Sequence, residues 1–506
     1  LFTFDCFLSI ASCTMTKVRG ARFGAINAQT VSTIGVLLLL SVGAIGWWLG
    51  FVQLWLRVAL NSPFAVALVV LVLVTMVHSL LRQRISRVLV GAIALLCVGM
   101  VVAVPLRYTA WADQYEAGLR ASEVAPFATL VPGRVLPQDV ADQFSRSLQT
   151  DPRYVYEEIH PTVSTAPGVA GRLVWQTAVH PNSIGAYFTS GLQMVAEVDA
   201  DTTSPRVQEH RLDLPVGGEG NLNSFSRIIH RRIAPLDRAL PPVYDVARRE
   251  AVVPLVRSVW GIPRLTGLVV FTQAGEVTRY PWSVAQERYP HLRLYPEALV
   301  RWEVDTWGDW RQGLMGFFSK REVYKVGSGT GSPPPTLLDD DEQALWVVPL
   351  EPKGNSFGLA GVIFVSPVTG ERWWWQTTKA GFMSPSRAVQ VAVGDPRINS
   401  LKNATAFEPK MWLQDGELSY LVPVGPGDAS QVQTLARVDA RSRETRVAPA
   451  MSLLMDGVAQ GASALQAQDS VGSLAGDITA LRGQLQEALR ALDALEKRVV
   501  GGGGAQ

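Results

Sequence analysis

The chain has 506 residues, enough for several domains of ordinary size. Hydrophobic residues make up 48% and charged residues 18%, a balance too apolar for a disordered chain. The formal charge of +2 gives no electrostatic basis for binding nucleic acid, and Cys6, Cys13 and Cys97, the only cysteines, exclude a disulfide framework or thiol catalysis beyond residue 97.

Residues 1–30 form a basic leader with Lys17, Arg19 and Arg22, and a start at Met15 would make it compact. Residues 31–106 hold three uncharged apolar stretches, at 31–56, 64–81 and 88–106. A helix needs about 20 such residues to cross the hydrocarbon core, so three transmembrane helices are expected. Arg82, Arg84 and Arg87 lie between the second and third stretches. With the basic leader they predict a multi-pass topology, the N-terminus cytoplasmic and everything after residue 106 extracytoplasmic.

Beyond the apolar segment the sequence predicts α+β structure in two regions, 107–330 and 331–455. Tryptophan is frequent here and carries large apolar area, which implies packed structure. A helix is predicted from Pro137 to Leu148, with Val140, Phe144 and Leu148 on one side. Leu173–Val179 and Leu192–Val198 read as strands, and residues 224–236 and 243–259 as helices with arginine on one side. The Gly- and Pro-rich run from Gly327 to Pro335 marks the boundary between the two regions.

A weak internal repeat runs through these regions. Leu345–Leu350, a polar loop and Gly361–Val365 are matched by Leu418–Val424, a polar loop and the strand that starts at Leu435. A fainter copy is Leu173–Val179 with Leu192–Asp199, and Gly267–Glu276 adds another strand and turn. Each unit is an antiparallel meander whose apolar face needs a neighbour to cover it. A strand leading through Thr369-Gly370-Glu371 into the aromatic strand Trp373-Trp374-Trp375 resembles the peptidase-propeptide-like (PepSY) units of many envelope proteins.

Local motifs for chemistry are sparse. Glu158 and His160 face the same way in an extended segment and are candidate metal ligands, although no third ligand lies nearby. No His-Glu-x-x-His or phosphate-loop pattern occurs, and the glycine-rich run Gly354–Gly361 reads as a flexible loop, so neither a catalytic set nor a cofactor is read from the sequence. Trp373, Trp374 and Trp375 must alternate between two faces of a strand, which makes them a candidate interaction surface.

Residues 464–500 carry apolar positions at spacings of three and four, among them Ile478, Leu481, Leu485, Leu492 and Leu495, and predict a coiled coil forming a dimer or trimer. Residues 501–506 are a glycine-rich tail. The leading expectation is therefore a membrane-anchored envelope or virion-associated scaffold. It would be held in a lipid bilayer, self-associate through the coiled coil and meet a membrane or envelope protein partner. The alternatives are an extracytoplasmic enzyme or peptidase- or glycan-processing regulator with a site between domains, and an accessory subunit of a membrane complex.

Overall fold

The computed structural model describes residues 87–455 and two isolated positions ahead of them, apart from 148–153, 182–189, 218–223, 314–323, 327–335, 353–357 and shorter gaps. These residues form an α+β domain built on four sheets. A helix, Arg87–Ala117, leads into two short strands, β1 (Leu119–Ser122) and β2 (Thr129–Leu130), and a second helix, Gln138–Ser147.

Four meanders follow, and all are built alike. Each begins with a first strand broken into two short pieces that both pair with one long second strand. In the first meander the pieces are β3 (Tyr154–Tyr156) and β4 (His160–Val163), both on β5 (Leu173–Pro181), followed by β6 (Leu192–Asp199) and β7 (Val207–Leu214). In the second they are β8 (Arg238–Ala239) and β9 (Val243–Asp245) on β10 (Glu250–Val259), then β11 (Ile262–Thr272) and β12 (Val277–Tyr280). The third has β13 (Tyr324–Val326) and β14 (Thr336–Asp340) on β15 (Gln343–Pro352), then β16 (Gly361–Val365) and β17 (Arg372–Gln376). The fourth has β18 (Ala404–Ala406) and β19 (Lys410–Gln414) on β20 (Glu417–Pro426), then β21 (Thr434–Asp439) and β22 (Thr445–Ala448). The early strands β1 and β2 join the third and fourth sheets, β1 running parallel to β17 so that this sheet is mixed.

Strands such as β5, β16 and β20 are buried almost without interruption because both of their faces are covered. The first meander packs on the second through Ala178, Val195 and Leu212 against Val253, Leu255 and Phe271. The third packs on the fourth through Val347 and Phe364 against Tyr420 and Val422, and the fourth packs on the first through Trp412 and Leu421 against Trp175 and Val198. Between the second and third lie two helices. Trp282–Arg288 covers Val252 and Val270 of the second, while Glu297–Trp310 covers Trp346 and Ile363 of the third in a cluster that also takes in Val256. The four meanders thus pack in chain order, and the fourth returns to the first.

The repeat seen in the sequence falls on the second and third strands of these units. Its Thr-Gly-Glu turn needs glycine on two counts. Gly370 has φ +73°, and an added Cβ would lie 2.5 Å from the Tyr295 ring. Of the expected helices, residues 224–236 hold Phe225–Ile228 and a π-turn, Ile229–Ile233. The helix expected over 243–259 is instead β9 and β10. Val252, Val253, Val256 and Val259 favour a pleated strand, and Arg249 turns the chain with φ +54°. The run Gly327–Pro335 falls between β13 and β14, which both pair with β15.

The membrane reading is corrected. Among the described residues no helix is long and apolar enough to cross a membrane, which overturns the three-span bundle, the multi-pass topology and the bilayer-held scaffold. The first two apolar stretches lie outside the described residues. The third opens the helix Arg87–Ala117, whose later part belongs to the domain. There Ala112 and Tyr115 are buried and Glu116 pairs with Arg311. In its earlier part Leu95, Val98, Val102 and Leu106 are exposed, while several other side chains lie outside the described residues. The heptad residues Ile478, Leu481, Leu485, Leu492 and Leu495 also lie outside the described residues. No coiled coil forms among the described ones, so the expected dimer or trimer and the membrane or envelope partner lose their basis.

One buried ion pair ties several of these elements together. Arg372 of β17 donates to Glu303 at 2.9 Å and to the Tyr295 hydroxyl at 2.8 Å, and Tyr295 donates to Glu303 at 2.7 Å. The guanidinium also lies 4.6 Å from the Tyr115 ring centre, so the first helix is held to the third sheet. Burial pushes the Glu303 carboxyl above the usual range, and Arg372 pulls it down. Removing one partner of such a pair leaves the other charge buried. Glu303→Ala should therefore cost about 3–5 kcal/mol of stability in urea denaturation, and an unchanged midpoint would show that the pair is not structural.

Candidate functional site

Two of the first strands break close to prolines. Pro241 and Pro242 have no N–H to donate and separate β8 from β9, while Glu157–Ile159 separate β3 from β4 just ahead of Pro161. A cleft of about 310 Å³ opens where these two breaks meet. Alternation along β4 places His160 and Thr162 on one face, and the register sets His160 beside Gln176 of β5 and Gln176 beside Glu197 of β6.

Gln176 fixes the floor. Its Nε2 donates to Glu197 Oε1 and to the Tyr244 carbonyl, both at 3.0 Å, and its Oε1 accepts from the Tyr244 N–H at 2.9 Å. The side-chain amide thus joins the first meander to β9 of the second as another strand would. Glu197 also accepts from Ser164 Oγ at 2.6 Å and has His210 Nε2 at 3.5 Å. Its charge is held inside the first sheet rather than presented to the cleft.

Arg293 enters the lining from the loop between the two intervening helices and is only 4% exposed. Its guanidinium carbon lies 5.6 Å from the Trp346 ring centre. Burial, with the Arg293 charge adding to it, pushes the His160 imidazole down to about 4, so it is neutral at pH 7. Burial pushes the Tyr244 hydroxyl up, and Glu157 acts in the same direction. Glu157 Oε1 lies 3.0 Å from His180 Nε2, while Glu158 is exposed and has no ion-pair partner among the described residues. Thr162 is 1% exposed, and its hydroxyl has no hydrogen-bond partner among the described residues. An orphaned polar atom in a cleft wall calls for an explanation.

The cleft therefore combines a guanidinium, a neutral imidazole and an unpartnered hydroxyl with two carboxylates. Glu158 and His160 do line the same cleft, but among the described residues no three His, Cys, Asp or Glu side chains are grouped to hold a metal ion. The Arg293 charge, which acts on His160, also opposes a metal ion at that imidazole. Trp374 is buried against Trp307 and Ile363. Trp373 and Trp375 point the other way, toward Phe364 and Phe382 and the fourth meander. A Ser–His contact does exist, Ser226 Oγ to His230 Nε2 at 3.0 Å, but neither residue lines the cleft.

Sequence reasoning missed Thr162, Gln176, Tyr244 and Arg293. Thr162 carried a local signal, sitting two residues beyond His160 on the same strand face. The others come from remote segments. No protein-family model matches the chain, and no curated protein matches it.

The His160 shift has a defined consequence for stability. The folded protein binds this proton less readily than the unfolded chain, so stability is complete above about pH 6.5 and falls as pH drops toward 4. The loss is at most about 3 kcal/mol. Denaturation midpoints should fall between pH 7 and pH 4 accordingly, and His160→Gln should flatten that dependence. An imidazole proton chemical shift that titrates near pH 6.5 would contradict the assignment.

Proposed function

We propose that the chain is a binding protein for a small molecule, which it grips by an anionic group in the cleft between the first and second meanders. The observation that carries this reading is the Thr162 hydroxyl, buried and without a partner in the same lining as Arg293 and neutral His160. A guanidinium, an imidazole N–H and a hydroxyl are the donors a carboxylate or phosphate takes. The volume lies at the small end of ligand sites, which favours a metabolite-sized molecule over a polymer. Gln176 supports the reading too: it holds the two walls at a fixed spacing, so binding needs little rearrangement. No reaction is assigned to the cleft.

Calorimetry on the full chain with small carboxylates and phosphate tests this. At least one anion should bind, with Arg293→Gln weakening it by about tenfold or more and Thr162→Val by about threefold to tenfold. Absence of heat with every anion at millimolar concentration, or affinities indifferent to both substitutions, would remove the proposal. Thr162→Val keeps shape and volume, so it gives a readout even where Arg293→Gln disturbs folding.

A further inference from the structure

Resting on that reading, we infer that the ligand is a small zwitterion of the free amino-acid type, its carboxylate toward Arg293 and its ammonium toward Glu157 and Glu158. The cleft carries both signs of charge in one small volume. The cation, Arg293, is buried, while the carboxylates come from the break between β3 and β4, with Glu158 exposed. Glu157 is positioned by His180 at 3.0 Å, whereas Glu158 has no ion-pair partner among the described residues. Water solvates an exposed carboxylate in a free cleft, and an incoming ammonium would replace that water with a charge-assisted hydrogen bond.

Alternative ligands match one sign of charge in the lining and oppose the other. A dicarboxylate places like charge against Glu157 and Glu158, and a diamine places like charge against Arg293. A zwitterion matches both signs. The Thr162 hydroxyl and the His160 imidazole can donate to the carboxylate beside Arg293. The remaining wall is Pro241, Pro242 and the Tyr244 ring, which offers apolar surface and no N–H from either proline. That wall suits an aliphatic or ring side chain.

The test uses the full chain, calorimetry and three matched probes: the free L-amino acids, the des-amino carboxylate of the best binder and its decarboxylated amine. The amino acid should bind at least about tenfold more tightly than either analogue. Glu158→Gln should lower its affinity to near that of the des-amino acid while leaving the des-amino acid unchanged, and the double substitution Glu157→Gln, Glu158→Gln should remove the preference entirely. Des-amino acids that bind as tightly as amino acids, through Arg293, would overturn the zwitterion and leave the anion site standing. A preference for the amino acid that survives the double substitution would also overturn it. Failure of all three probes, with phosphate and other carboxylates also silent, would overturn both.

Discussion

The side-chain amide of Gln176 is the constraint on which the cleft depends. It sits on the second strand of one meander and satisfies the backbone N–H and C=O of Tyr244 in the next, while its second N–H goes to the buried Glu197 carboxylate. Each polar atom of the amide is engaged, so it has no competing water or ligand partner. Two sheets that pack only by apolar contact could slide, because dispersion and burial are not directional. Two hydrogen bonds to the Tyr244 backbone, from an amide whose other N–H is held by Glu197, fix both spacing and register, and the gap beside that contact becomes a cleft of set width.

A cleft forms there because both first strands are broken. A continuous first strand would pair along the full length of its neighbour and bring side chains across the gap. Pro241 and Pro242 cannot donate to a ladder, and the strand pairing lapses between β3 and β4, so residues of both breaks line one cleft. The breaks occur in all four meanders, which makes them part of how the unit is built. Among the described residues of the first two, they bring polar side chains together with Arg293.

Elsewhere in the circuit, charge is buried only in company. Arg372 meets Glu303, Tyr295 and the Tyr115 ring, and Asp237 accepts from Arg257, Arg279 and Thr266. Lys410, fully buried, donates to the Leu136 carbonyl that also accepts from Trp175. These contacts join sheets or helices remote in sequence and set each buried charge beside an opposite charge or a polar partner. The Thr162 hydroxyl has no such partner among the described residues, and its place in the cleft wall is what makes it informative.

The sequence by itself determined which segments pair locally. Alternation and turn residues placed Leu173–Val179, Leu192–Val198, Gly361–Val365 and the Thr-Gly-Glu turn, because strand period and glycine conformation act over a few residues. It also put Glu158 and His160 on a common side. It misjudged 243–259, where the valine run outweighed a helical arginine pattern, and it turned apolar length into a membrane topology that the described residues do not support. Only the tertiary structure decided that four meanders close into a circuit and that Arg293, more than a hundred positions along the chain, stands beside His160. Apolar burial and buried hydrogen bonds act between surfaces whatever their separation in sequence, so no local spacing records which ones meet.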